Sequence, residues 1–180
     1  MTVADVAIKP FSLSDLEALQ AHFGRHRAES GLGGVYFMPF EVNGLDAPRG
    51  VVVEKAFIAL DQPLWQRWFC AHDAATGRIV GHVDLKGDAL HAGLHRCQLG
   101  IGIEGPWRRQ GLGERLMQTA IAFAREQPSL QWISLSTFAG NTAARALYQR
   151  LGFVEEGVLR DRFRLGGQVI DDVQMILSVA

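Results

Sequence analysis

The chain has 180 residues, of which 48% are apolar and 21% charged, and its formal net charge is -1. This length is enough to bury a sizeable core, and these proportions exclude a disordered tail and a collagen-like repeat. The balanced charge excludes a strongly basic nucleic-acid binder. We therefore predict one globular unit with no nucleic-acid partner.

The two cysteines and the hydropathy pattern narrow the class further. Cys70 and Cys97 lie far apart without a CxxC spacing, which predicts neither a disulfide framework nor a structural zinc site. No run of about 18 apolar residues is present to span a bilayer, and no apolar leader follows a basic start. The sequence thus predicts a cytoplasmic protein that uses no metal and binds no membrane.

The first predicted element is a helix that begins near Asp15. In "FSLSDLEALQAHF", Ser14 and Glu17 have the spacing of a capping box, and apolar residues then recur at helical intervals. His22 and His26 lie four residues apart on this helix. Without a third ligand in view, they indicate a solvated face more than a metal site.

The next segment, residues 29–50, is rich in glycine but keeps several aromatic residues. This predicts a loop packed on the substrate side of the domain, not a free linker. Two interpretations stay open for the aromatic and Met residues of this segment and of the following strand: they either shape a pocket or belong to the core. They are Tyr36, Phe37, Met38, Phe40, Trp65 and Trp68.

Strands then predominate. "VVVEKAFIAL" is compatible with helix or strand, whereas "LWQRWFCAHD" and "ATGRIVGHVDL" predict two strands around a turn that ends at Gly77. "HRCQLGIGI" predicts another strand beside them. "ERLMQTAIAFAREQ" has one apolar face and predicts a helix stopped by Pro128.

The last third contains a strand, a helix and a hairpin. "LQWISLSTF" predicts a short buried strand, and "NTAARALYQRLGF" a helix capped by Asn141 and ended by Gly152. Two strands around Gly166 and Gly167 close the chain. The predicted class is α+β (mixed α/β), not a regular doubly wound sheet.

The stretch "GIGIEG" matches the GxGxxG dinucleotide fingerprint literally, but that fingerprint must open a helix directly. Here Pro106 and several further residues intervene before helical periodicity begins. Gly100 and Gly102 fall inside a predicted strand, where they indicate a bulge.

The segment that does open a helix is "RRQGLG", Arg108 to Gly113. The amides of a helix N-terminus bind anions, glycine lets a phosphate approach the backbone, and arginine adds positive charge. A solvated turn before an ordinary helix is the structural alternative.

Two motifs carry a family resemblance. Arg108-x-x-Gly111-x-Gly113, between the strand "LGIGI" and the helix "ERLMQTAIAFA", resembles the acyl-coenzyme A (CoA) loop of the GNAT superfamily of N-acetyltransferases. The segment from Asn141 to Phe153 resembles the part of that superfamily after its fifth strand. The C-terminal part is similar to the branch of ribosomal-protein alanine and phosphinothricin acetyltransferases.

The resemblance implies residues 1–180 as a single acyl-CoA N-acyltransferase domain. It also implies a mostly antiparallel twisted sheet of about six to seven strands, with splayed fourth and fifth strands and flanking helices. Arg109 stands where many members have glycine, and a positive φ there would be strained. The residues implied to hold acetyl-CoA are Ile101, Gly102, Ile103, Arg108, Arg109, Gln110, Gly111, Leu112, Gly113, Glu114 and Asn141.

The implied reaction is direct attack of a primary amine on the thioester in a ternary complex. Tyr148 occupies the position of the family's general acid. Glu104 and Asp84 are candidates for the base, and both also fit a role as solvated carboxylates. A backbone N–H near Gly102 or Ile103 is placed to stabilise the oxyanion.

Several alternatives stay open. The acceptor is a small-molecule amine or a peptide N-terminus, and a homodimer is one assembly compatible with the sequence. A non-catalytic acyl-CoA-binding sensor module would keep the loop without needing Tyr148. A nucleotide- or phosphate-binding α/β enzyme would use the same helix mouth, but no GxxxxGK[ST] loop is present.

Overall fold

The computed structural model describes residues 5–40 and 53–180. Within them, seven strands form one sheet in the order β1-β2-β3-β4-β5-β7-β6. The strands are β1 Val6–Pro10, β2 Gln66–Asp73, β3 Ile79–Gly87, β4 Arg96–Ile103, β5 Trp132–Phe138, β6 Val154–Leu165 and β7 Gln168–Ser178. Each neighbouring pair is antiparallel except β4 with β5. The predicted mixed α/β class with a mostly antiparallel sheet is confirmed.

Three α-helices accompany the sheet: α1 Leu16–Ala28, α2 Leu112–Arg125 and α3 Thr142–Arg150. The start of α1 near Asp15 is confirmed, but the Ser14–Glu17 capping box is wrong. A short 3-10 turn precedes the helix, and there the Ser12 backbone N–H donates to the Asp15 carboxylate at 2.9 Å. The cap therefore forms on this extra turn, which helical periodicity alone does not reveal.

The turns follow the glycine pattern. Gly77 in the β2–β3 turn has φ +70°, and Gly166 and Gly167 between β6 and β7 have φ +54° and +76°. Consecutive positive φ angles are typical of tight hairpin turns. The ambiguous segment contains a short 3-10 helix, Val53–Phe57, while residues 51–52 and the loop portion 41–50 lie outside the described residues.

The helices α1 and α2 lie on opposite faces of the sheet. A Cβ added to Gly81 would touch Leu116 of α2, whereas a Cβ added to Gly102 would meet His26 of α1. Gly102 is paired with His82, the next residue along β3, and successive strand residues face opposite sides. The α2 face holds the larger apolar core, which includes Val83, Leu116, Met117, Ala120 and Ile133.

The parallel pair β4–β5 is short. The pairing runs from Arg96 with Trp132 to Gln98 with Ser134. After these residues, β4 pairs only with β3, and β5 pairs only with β7. The two strands therefore separate toward their C-terminal ends, as the family resemblance implied.

The bulge expected at Gly100 and Gly102 is wrong, because the β3–β4 register runs without a shift. Each glycine instead makes room for a buried polar side chain across the strand pair. A Cβ at Gly100 would lie 2.7 Å from Asp84 Oδ1, and one at Gly102 would lie 2.5 Å from His82 Cε1.

Candidate active site

The separation of β4 and β5 opens a cleft of about 1200 Å³. Residues from both faces of the sheet line it, including His26 of α1 on one side and Gly113 at the start of α2 on the other. The cleft therefore passes through the gap between the strands. A long, narrow ligand entering from the α2 side can reach a second ligand on the α1 side.

The glycine-rich loop lies at the mouth of this cleft. Gly111 is the N-cap of α2 with φ +86°, which a residue with a side chain adopts only with strain. The amides of the following turn have no partner inside the helix and carry its positive dipole end. Arg109 has φ +61°, so this position uses the conformation that favours glycine.

The Arg108 side chain turns away from the helix mouth. Its Nε donates to the Ile103 carbonyl at 2.7 Å, and its Nη2 forms an ion pair with Glu29. The guanidinium also lies 4.9 Å from the centre of the Phe37 ring. Arg108 thus ties the end of β4 to α1 and to the segment that follows it. Glu29 carried no sequence signal for this role.

The predicted donor-site residues divide into two groups. Most line the cleft: Ile101, Gly102, Ile103, Arg108, Arg109, Gly111, Gly113, Glu114 and Asn141. Two side chains are used elsewhere, because Leu112 is buried in the core and Gln110 donates to the Pro106 carbonyl at 2.7 Å. Asn141 caps α3, accepting from the Ala144 N–H at 3.3 Å.

Tyr148 lines the cleft from α3 and is 7% exposed. Burial raises the pKa of its hydroxyl to about 12. The hydroxyl is therefore protonated at neutral pH and able to donate a hydrogen bond or a proton into the cleft.

The loop segment after α1 forms part of the cleft wall through Tyr36, Phe37 and Met38. The Phe37 ring stacks on His26 with 5.0 Å between ring centres. Trp65 and Trp68 are instead buried in the two core clusters. The aromatic residues singled out by the sequence are thus divided between pocket and core.

The solvated face expected for His22 and His26 is wrong, because the two side chains are 0% and 4% exposed. His22 Nδ1 lies 2.9 Å from Glu104 Oε1, and His22 Nε2 lies 2.9 Å from His82 Nδ1. The His26 ring stacks on His22 with 5.8 Å between centres. The partners are 60 and 82 residues away, so the helical pattern of α1 could not show them.

Burial sets the charge of this histidine cluster, defined as His22, His26 and His82. Desolvation lowers the pKa of all three imidazoles, to about 3 for His26. Neighbouring charges lower the pKa of His26 and His82 further, whereas Glu104 opposes the decrease at His22. The cluster is therefore neutral at physiological pH.

The two candidate bases do not line the cleft with their own side chains. Burial alone would raise the pKa of Glu104, but hydrogen bonds from Arg25 and His22 outweigh it and lower the pKa. Burial raises the pKa of Asp84, which accepts from Gln66 Nε2 at 2.8 Å. Neither is a solvated carboxylate, because Glu104 is 6% exposed and Asp84 is 3% exposed.

Across residues 5–40 and 53–180, no three His, Cys, Asp or Glu side chains are grouped to hold a metal ion. None of the helices in these ranges has the length and apolar character to cross a membrane.

Comparison with known proteins agrees with this geometry. Over 99 residues the chain is 25% identical to the L-amino acid N-acetyltransferase AaaT of Escherichia coli (strain K12), covering 55% of this chain and 61% of that protein. Over 111 residues it is 26% identical to the [Ribosomal protein uS5]-alanine N-acetyltransferase of the same organism, covering 62% and 57%. The matched region spans about three fifths of each relative.

The crystal structure of a GNAT superfamily phosphinothricin acetyltransferase from Sinorhizobium meliloti, in complex with AcCoA, has the same fold. It superposes with a TM-score of 0.78 at 16% sequence identity and covers 97% of this chain and 88% of that one. The model of the acetyltransferase (GNAT) family matches residues 37–153. Since this match covers well over half of the sequence, the chain belongs to the acetyltransferase (GNAT) family.

Proposed function

We propose that this protein is an acetyl-CoA-dependent N-acetyltransferase that transfers the acetyl group directly to a primary amine in a ternary complex. The observation that carries the proposal is the cleft between β4 and β5, which begins at the N-terminus of α2 and reaches the buried polar groups beneath α1. No covalent enzyme intermediate is needed in this scheme.

The donor half of the cleft fits acetyl-CoA by its shape and polarity. The amides from Arg109 to Glu114 at the helix mouth would hold the pyrophosphate, because helix N-termini bind anions. The unpaired edge of β4 from Ile101 to Ile103 would pair with the pantetheine arm as an added strand does. Asn141, which lines the same cleft, would contact this arm while it caps α3.

The chemistry requires an oxyanion donor and a proton for the leaving thiolate. A backbone N–H near Gly102 or Ile103 would stabilise the charge that develops on the carbonyl oxygen, an effect typically worth about 3 kcal/mol. Tyr148 would protonate the sulfur, since its hydroxyl is protonated and faces the cleft.

The acceptor is proposed to be a small-molecule amine or a peptide N-terminus. The names of the two relatives, one an L-amino acid N-acetyltransferase and the other a ribosomal-protein alanine N-acetyltransferase, support this range without choosing within it. A homodimer and a cytoplasmic location complete the proposal, and sedimentation of the purified chain and cell fractionation test them.

The donor site is tested by titrating the protein with acetyl-CoA, dephospho-CoA and NAD. Gly111→Ala is the informative variant and Gly77→Ala its matched control, since both glycines have positive φ and open space where a Cβ would lie. Both variants therefore carry similar backbone strain, but only Gly111 is at the helix mouth. Selective loss of acetyl-CoA binding in Gly111→Ala is expected. Equal binding of NAD, or equal loss in both variants, would contradict the proposal.

Tyr148→Phe then separates an enzyme from a sensor module. Thiol release with an amine panel is expected to fall by about 100-fold or more, with acetyl-CoA affinity unchanged. If neither the wild type nor the variant acetylates any amine while both bind acetyl-CoA, the sensor module is favoured.

A further inference from the structure

A chain of hydrogen bonds runs beneath α1 from Glu104 to the cleft region. Glu104 Oε1 lies 2.9 Å from His22 Nδ1, and His22 Nε2 lies 2.9 Å from His82 Nδ1. At its outer end, Glu104 Oε2 lies 3.5 Å from Arg78, whose side chain is 53% exposed. The chain of contacts therefore connects a surface ion pair with the interior.

The hydrogen-bond partners fix the tautomers of the two imidazoles. The Glu104 carboxylate, held ionised by Arg25 and His22, only accepts hydrogen bonds, so His22 Nδ1 carries the hydrogen. Nε2 of the neutral His22 is then an acceptor, and His82 Nδ1 must donate to it. This leaves Nε2 of His82 with a free lone pair, which is what a proton acceptor needs.

The imidazole of His82 packs against Gly102 on the α1 side of β4, although His82 itself is not one of the residues that line the cleft. A Cβ at Gly102 would be 2.5 Å from His82 Cε1, the carbon between the two ring nitrogens, and 2.7 Å from His26 Nε2. Gly102 and His26 both line the cleft. The His82 ring thus lies behind the strand segment where the thioester carbonyl would lie in the proposed function, and Gly102, which has no side chain, leaves the ring close to that edge of the cleft.

We propose that the chain His82–His22–Glu104 removes the proton of the acceptor ammonium, with Nε2 of His82 as the first acceptor. This inference rests on the proposed function and adds its proton route. His82 would meet an acceptor amine bound at the Gly102 edge of the cleft, whereas His22 and Glu104 are positioning residues that act through His82.

One N–H bond of the ammonium breaks and its proton goes to His82 Nε2, while the Nδ1 proton of His82 moves to His22 and that of His22 to Glu104. The freed lone pair forms the C–N bond, and the C–S bond breaks. The nitrogen's second proton would go to the Tyr148 oxygen, which has given its own proton to the sulfur, so that Tyr148 ends protonated again. One proton leaves through Glu104 for each amide formed.

The hydrogen-bonded chain ends at Glu104, and Arg25 and Arg78 keep that carboxylate ionised between turnovers. His82 faces cationic or neutral groups except for one carboxylate on its own strand, Asp84, which is held by Gln66 and Lys86. The only carboxylate bonded to the imidazoles, among the described residues, is Glu104. The titratable groups around His82 and His22 are His26, Arg25, Arg27 and Glu29 from α1, Cys70 from β2, Asp84 and Lys86 from β3, and Glu104 after β4.

The first test needs no acceptor. The full-length protein is labelled with ¹⁵N-histidine, and two-bond ¹H–¹⁵N correlations assign the tautomers of His22 and His82 near neutral pH, with and without acetyl-CoA. Both rings are expected to carry the proton on Nδ1. An Nε2–H tautomer or a charged ring at His22 or His82 overturns the proposal, whether or not the protein acetylates amines.

The second test is kinetic, with His22→Gln and His82→Gln and, as control, His91→Gln, an exposed histidine on the β3–β4 connection. The amine panel contains the L-amino acids, phosphinothricin, spermidine and an alanine-terminated peptide. For the amine that turns over best, kcat is expected to fall about 100-fold in the two cluster variants. The loss should recede as the pH rises, because free amine then replaces ammonium.

The outcomes separate the two proposals. If acetyl-CoA binds but no panel amine reacts, the proposed function fails. The tautomer measurement then still shows whether His22 and His82 carry their protons on Nδ1, as the hydrogen-bond chain requires. If an amine reacts and the cluster variants, folded by circular dichroism, keep the wild-type pH profile, the proton route is wrong. A constant loss of rate at every pH indicates a structural role and also overturns it.

Discussion

Replacing His26 with glutamine is expected to make the stability of the protein less sensitive to acid. His26 is 4% exposed, and desolvation, followed by the electrostatic effect of its neighbours His22 and Arg108, lowers the pKa of its imidazole from 6.5 to about 3. In the unfolded chain the same imidazole titrates near its ordinary value. Between these two pKa values, only the unfolded state binds the proton.

The sign and size follow from linkage. A histidine with a lowered folded-state pKa contributes stability that is present above the unfolded pKa and is lost as the pH falls. Each proton bound only by the unfolded state costs about 1.4 kcal/mol per pH unit. From pH 7 to pH 5, His26 alone therefore removes about 2 kcal/mol from the free energy of unfolding. His22 and His82 add losses in the same direction.

The measurement is urea unfolding of the wild type and of His26→Gln at several pH values between about 8 and 5. The wild type should lose about 2 kcal/mol more than the variant over the lower two pH units. His91→Gln removes an exposed imidazole and leaves the buried cluster intact, so it should follow the wild type. Equal pH dependence of wild type and His26→Gln would refute the reasoning, because it would mean that folded His26 already takes up a proton near pH 5.

Three further substitutions, one of them with a matched control, probe residues that line the cleft. Gly102→Ala should lower the free energy of unfolding by about 1–3 kcal/mol through overpacking against His26 and His82. Its control is Gly157→Ala, which should change this free energy little, because a Cβ there meets nothing within 4 Å. Urea unfolding measures both variants. Arg109→Gly should raise the free energy of unfolding by up to about 1 kcal/mol by relieving the φ of +61°, and a loss of that size would contradict it. Asn141→Ala should destabilise the protein by about 1 kcal/mol through loss of the α3 cap, and unchanged stability would mean that the 3.3 Å contact contributes nothing.

Local chemistry in the sequence was sufficient to predict most of the sheet. Hairpin glycines such as Gly77 and Gly167 lie where the turn requires positive φ. The strands on either side alternate apolar and polar residues, and a shift of register by one residue would expose the apolar ones. The helix mouth at Gly111 was predictable for the same reason, because a glycine N-cap and an apolar helix face are adjacent in sequence.

The polar interior was not predictable in this way. His22 and His26 belong to a helix whose own pattern gives no sign that β3 and the end of β4 cover its polar side. Glu29 likewise meets Arg108 only after the chain has folded. One signal was available: within the β3–β4 hairpin, His82 and Asp84 lie opposite Gly102 and Gly100. When a glycine lies opposite a polar residue on two paired, buried strands, the polar side chain is expected to lie over the backbone of that glycine.

Gly102 is therefore constrained in two ways, one through its backbone and one through its lack of a side chain. Its backbone belongs to the β4 edge that opens onto the cleft, and its missing side chain is replaced by the imidazoles of His26 and His82. Because these rings rest on backbone and not on a flexible side chain, their distance from the cleft edge is set by strand geometry. A substitution at Gly102 must consequently move the histidines and the strand edge together. Donor binding and the tautomers of the cluster should then change in the same variant, whereas two independent features would respond separately.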